Sequence, residues 1–114
     1  MKYLKRFENI NESEVVVGDY VLLKPKRRDF LDVESIYFFE NVVGEVIMIH
    51  DNRSDGIIIY SIKYNNIPGE IIKFFNFSYT KGCWHRNFYL SDIIFFSKNR
   101  EDVEDFIQSK KYNL

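Results

Sequence analysis

Alanine is absent from the 114 residues, and there is one cysteine. Ile, Asn, Lys, Phe and Tyr fill nearly half the positions. Those five have AT-rich codons, so the missing alanine is most simply the mark of an AT-rich genome. The 18% aromatic content is then partly a codon effect and weak evidence for a ligand cage. A single cysteine cannot form an internal disulfide, so nothing points to an oxidising compartment. Five unclustered glycines exclude a phosphate-cradling glycine loop. No apolar run approaches the 18 or so residues of a spanning helix. The first dozen residues also lack the apolar stretch of a secretory signal. Neither sign of charge dominates: 16 basic against 17 acidic residues leave a net charge of −1. That excludes the strongly basic class of non-specific nucleic-acid binders, though not a local basic patch. The expectation is a soluble cytoplasmic protein without cofactor, metal or membrane attachment.

What is present suits one domain. A chain of this length buries roughly two-thirds of its unfolded surface and requires no disulfide or metal. Residues 1–12 carry Leu4, Phe7 and Ile10 at helical spacing among Lys2, Lys5 and Arg6. That is a short helix, which docks on the domain, docks on a partner or stays loose. From Val15 the pattern turns β-rich. "VVVGDYVLLK" is broken by the turn pair Gly18-Asp19, and "VVGEVIMIH" and "IIIYSIKY" flank a turn-forming stretch at 51–56. The last alternates, with Ile58, Tyr60, Ile62 and Tyr64 on one face and Ser61 and Lys63 on the other. Residues 70–79 read as a fourth strand, 83–90 as a fifth and 92–97 as a sixth. The end is helical: Ser97 or Asn99 is the N-cap, Glu101 and Asp102 lie in the first turn, and Val103, Phe106 and Ile107 form a docking face. Residues 30–42 are long for a loop and hold a short helix or an extra strand.

Strands recurring without intervening helices favour an antiparallel sheet. Several are apolar on both faces, which a small closed barrel would bury. "VGDYVLLK", a long loop, "VGEVIMI" and then "YSIKY" resemble the start of an SH3-like barrel of the KOW and Tudor kind, over residues 15–94. The resemblance implies a mostly β fold: a small antiparallel SH3-like barrel of five to six strands with a C-terminal helix. The expected layout is an N-terminal segment 1–14, helical or loose, a barrel 15–97, and a packed helix 98–114. The opening "MKYLKRFENINE" is similar to the starts of small proteins of AT-rich bacteriophages. This implies host cytoplasm or virion as the location.

Two stretches carry the candidate site residues. In "CWHR", Cys83 and His85 lie two apart on one face of a strand, and Trp84 and Arg86 on the other. Cysteine catalysis needs a base and an orienting acid. His85 and Asp92 are nominal candidates, yet nothing in the spacing brings Asp92 there. Zinc needs paired ligand spacings that Cys83, His85 and distant His50 lack. The plain alternative is a buried cysteine. Either Cys83 and His85 face inward and Trp84 and Arg86 form an exposed anchor pair, or the reverse. In "KPKRR", Lys24, Lys26, Arg27 and Arg28 follow a strand directly. They could contact phosphates, with Phe30, Tyr37, Trp84 or Tyr89 stacking on bases and Lys81 and Arg53 extending the patch. They could equally be a solvated loop balanced by Asp29, Asp32 and Glu34. The expectation is a non-enzymatic protein-binding module, plausibly a phage accessory or structural protein. The alternative is a nucleic-acid-binding module using the basic loop.

Overall fold

A computed structural model of the chain describes residues 14–26, 31–52 and 54–112. The N-terminal segment expected to be helical or loose therefore lies, apart from Glu14, outside the described residues. Among the described residues are six strands: β1 (Tyr20–Leu23), β2 (Gly44–Asn52), β3 (Ile57–Tyr64), β4 (Asn76–Ser78), β5 (Cys83–Tyr89) and β6 (Ile93–Ser97). Two α-helices, α1 (Val33–Asn41) and α2 (Arg100–Tyr112), and two 3₁₀ helices, Gly69–Phe74 and Leu90–Asp92, join them. The strands form one antiparallel sheet in the order β4-β5-β3-β2-β1-β6. The protein is mostly β with a C-terminal helix. Its sheet is open, with β4 and β6 at the edges.

Local chemistry explains most elements. The turn before β1 needs Gly18 at φ 98°, a conformation side chains disfavour. Gly18 N–H donates to Val46 O (2.8 Å), and Val46 N–H donates back to Asp19 O (2.9 Å). The buried Asp19 carboxylate accepts from Val16 N–H (3.0 Å) and lies 3.6 Å from Lys98 Nζ. α1 settles the open reading of residues 30–42. Asp32 Oδ1 accepts from Ser35 N–H at 2.8 Å, an N-cap bond, and Ser35 Oγ donates to Asp32 O at 2.9 Å. The backbone bond holds the Asp32 carboxyl below its ordinary range.

Residues 70–79 require a correction. Half of the expected strand, Glu70 to Phe74, lies in the 3₁₀ helix Gly69–Phe74, and only Asn76–Ser78 pair as β4. A short apolar run does not distinguish strand from helix. Here Ile71 and Phe75 are drawn into the core, which pulls the chain off the sheet edge.

The core has two parts. On one face α1 and the first 3₁₀ helix cover Val21, Leu23, Val46, Tyr60, Ile62, Tyr64 and Phe88. Phe38, Phe39, Tyr64, Phe75 and Phe88 meet there with ring centroids 5.1 to 6.2 Å apart, mostly edge to face, the arrangement ring quadrupoles favour. On the other face Leu22, Val43 and Phe95 lie under Val103 and Ile107 of α2, with Phe106 stacked on Phe95 at 4.5 Å. The docking face expected of the C-terminal helix is the one used. β1 alternates between the two parts, which is why its sequence is apolar throughout.

Gly44 is the point of closest approach. A methyl group there would lie 2.8 Å from Tyr64 Cζ and overlap Ile62 Cγ2. The Tyr64 ring therefore lies across the β2 backbone. Its hydroxyl is buried without a hydrogen-bond partner, and burial pushes its ionisation well above the ordinary range.

Candidate interface along strand β5

The facing of "CWHR" follows from register. Trp84 pairs with Tyr64, Arg86 with Ile62 and Phe88 with Tyr60. Directly opposed residues share a face, so Trp84 and Arg86 lie on the side of the larger core. Cys83, His85 and Asn87 lie on the reverse, where Asn87 Oδ1 accepts from Ser61 Oγ at 2.7 Å. The exposed-anchor option for the pair gives way to a half-buried position for each.

Trp84 packs at the core margin. Phe77 of β4, directly opposite, meets its ring edge-on at 5.1 Å, and Tyr79 meets Phe77 at 5.1 Å. Phe77 is 39% and Tyr79 90% exposed. A cleft of about 320 Å³ lies beside Trp84, lined also by Lys63, Asn65, Ile72, Lys81 and Cys83.

Arg86 belongs to a different cleft, of about 230 Å³, shared with Pro25, Leu31, Asn87, Tyr89 and Asp92. Arg86 Nη1 donates to Phe74 O at 2.7 Å, and the guanidinium carbon is 5.9 Å from the Phe88 ring centroid. Desolvation lowers its pKa. A guanidinium remains charged in a protein. Among the described residues no carboxylate stands within ion-pairing distance of it.

Asp92 is the knot of this cleft. Its buried carboxylate accepts from Lys26 N–H (2.8 Å) and Tyr89 N–H (3.0 Å), and its carbonyl accepts from Lys24 N–H (2.8 Å). Asp92 thus fastens the root of the basic loop to the end of β5. It is not held by Cys83 or His85. Lys24 and Lys26 are exposed. Arg27, Arg28, Phe30 and Arg53 lie outside the described residues. Tyr37 is exposed on α1. The structure therefore places the loop root beside Arg86 and Tyr89, and Lys81 beside Trp84, in two clefts along one strand.

No group of three or more His, Cys, Asp or Glu among the described residues is placed to hold a metal. No helix among them is long and apolar enough to cross a membrane. His85 Nδ1 is buried without a partner. Phe77, Tyr79 and Asp92 are the site residues that sequence reasoning passed over or misassigned. The signal for Asp92 is its place three residues after Tyr89, where a short acid can cap the backbone. No family model, curated protein or solved structure matches the chain.

Proposed function

We propose that the chain is a non-enzymatic protein-binding module, an SH3-like small barrel opened along one seam, serving as a bacteriophage accessory or structural factor. The observation that carries the binding role is the aromatic edge. Phe77 and Tyr79 stand exposed on or beside a three-residue edge strand, backed by Trp84. Exposed edges with aromatic side chains are costly to leave bare, and large aromatics are favoured anchors at interfaces. What supports the barrel kinship is the β1–β6 pairing, which a closed ring of consecutive strands requires. The seam falls between the two edge strands, β4 and β6.

The test is retention from host lysate by immobilised protein. The expected result is a specific protein held by the native chain and lost by the Phe77→Ser/Tyr79→Ser double variant. Equal retention by both would contradict the reading.

Nucleic-acid binding through Lys24, Lys26, Arg27 and Arg28 is the second reading. The observation favouring it is Lys63 and Lys81 beside Trp84 in one cleft, cations next to a stacking ring. It requires affinity that falls by about 0.9 log unit per log of salt for each duplex phosphate neutralised. Absence of any shift on DNA or RNA at low salt would remove it.

A further inference from the structure

We infer that the Arg86 cleft takes an extended acidic segment of a partner protein, which adds to the free outer edge of β5 and sets a carboxylate on the Arg86 guanidinium. The inference rests on the protein-binding reading and names the chemistry of the partner.

Three observations converge. The first is an edge that no strand among the described residues covers. β4 pairs with β5 only at Cys83, Trp84 and His85. Phe75 stays extended for one residue opposite Arg86 and the chain before it is the 3₁₀ helix, so among the described residues Asn87 to Tyr89 have a strand on the β3 side alone. The second is the direction of the backbone. Tyr89 N–H donates to Asp92 Oδ2, away from β3. In an antiparallel ladder the outward groups recur every second residue. Asn87 N–H and C=O therefore point outward too, and Asn87 is exposed. An extended segment can exchange two hydrogen bonds with Asn87 and continue the line of β4. Strand addition of this kind draws affinity from the backbone and specificity from alternate side chains.

The third is charge. On such a segment the residue opposite Phe88 shares the face of Arg86 and lies diagonally across from it, within reach of a long acidic side chain. Arg86 is desolvated, makes its one described hydrogen bond to a neutral carbonyl and has no acid partner among the described residues. The one acid among the described residues lining the cleft, Asp92, has both oxygens occupied by backbone N–H groups. A planar fork of donors beside an open cleft matches a carboxylate. Lys24 and Lys26 at the rim add positive charge, and Pro25, Leu31 and Tyr89 offer an apolar wall. A phosphate backbone would find the same charge but no use for the strand edge.

The probes are a capped hexapeptide alternating threonine and valine with one central glutamate, its glutamine twin, and a twelve-residue oligothymidylate. Binding is followed by amide NMR shifts on the full chain. The expected result is that the glutamate peptide shifts Asn87 and the Arg86 side chain and binds at least tenfold more tightly than its twin. Arg86→Met should abolish that preference. Asn87→Pro, which removes the outward N–H together with the side-chain acceptor for Ser61 Oγ, should weaken both peptides. It also serves if Arg86→Met does not fold. Equal affinity for the twins, shifts mapping away from β5, or shifts with the oligonucleotide alone would overturn the inference. If that happened while Phe77→Ser/Tyr79→Ser still abolished protein retention, the binding-module reading would stand and only the acidic-segment inference would fall.

Discussion

β5 has two halves that the sequence writes alike and the fold treats differently. Trp84 and His85 lie between β3 and β4, paired on both sides, and Cys83 pairs with β4. Arg86 to Tyr89 are paired on one side and open to a cleft on the other. The difference is made elsewhere, by the point at which residues 69–78 leave the sheet. Ile71 and Phe75 are worth more in the core than as an extension of β4, so the edge strand stops at three residues. A site on a sheet edge can thus be created by what a neighbouring segment buries.

The strongest way to break this contrast is Phe75→Ala. Phe75 is buried against Phe38, Phe39 and Tyr64. Its loss should cost about 3–5 kcal/mol in urea unfolding and free the 3₁₀ helix. A change below about 1 kcal/mol would mean that the turn is held by something else.

Asp92→Ala acts at the other end of the cleft. It strips a carboxylate from two backbone N–H groups, and bonds to charged acceptors contribute about 1.5–3 kcal/mol each. A loss of about 2–3 kcal/mol is expected, with faster hydrogen exchange at Lys26 and Tyr89. Unaltered exchange at both amides would contradict the role given to Asp92.

Trp84→Ala sharpens the comparison from the paired half. Trp84 is only half-buried, so the expected cost is about 2 kcal/mol, below the full-burial range. A change within about 0.5 kcal/mol would mark it as a surface residue.

The smallest effect is expected of Tyr64→Phe. The hydroxyl is buried and unpaired, so its removal relieves a desolvation cost, and stability should hold or rise by about 1 kcal/mol. The native phenol keeps its proton in the fold well above the ordinary range. The unfolded chain releases it near pH 10. The Tyr64 contribution is therefore full below about pH 10 and declines above it. Alkaline unfolding curves of the native chain and the variant should diverge there; parallel curves would contradict the burial.

The sequence made β3 legible to the residue, because alternation and flanking turns agree. It also made the hairpin and the α2 docking face legible. α1 carried a readable signal in Asp32 and Ser35, which the apolar bulk of residues 30–42 obscured. Residues 70–79 mislead because "IIKFF" satisfies a strand pattern, while Pro68 and Gly69 before it start a 3₁₀ turn. The facing of Trp84 and Arg86 was not legible. In a strand with polar and aromatic residues on both faces, only cross-strand register decides, and register is a tertiary fact. For the same reason the division of the basic and aromatic residues between two clefts was not legible.

The central claim is that β5 has an open edge at Asn87. Native-state hydrogen exchange measures it residue by residue. The amides of Arg86 and Phe88, directed at β3, should be protected, while Asn87 between them exchanges far faster. Protection of Asn87 equal to that of its neighbours would show the edge to be covered, and the account of the cleft would fail.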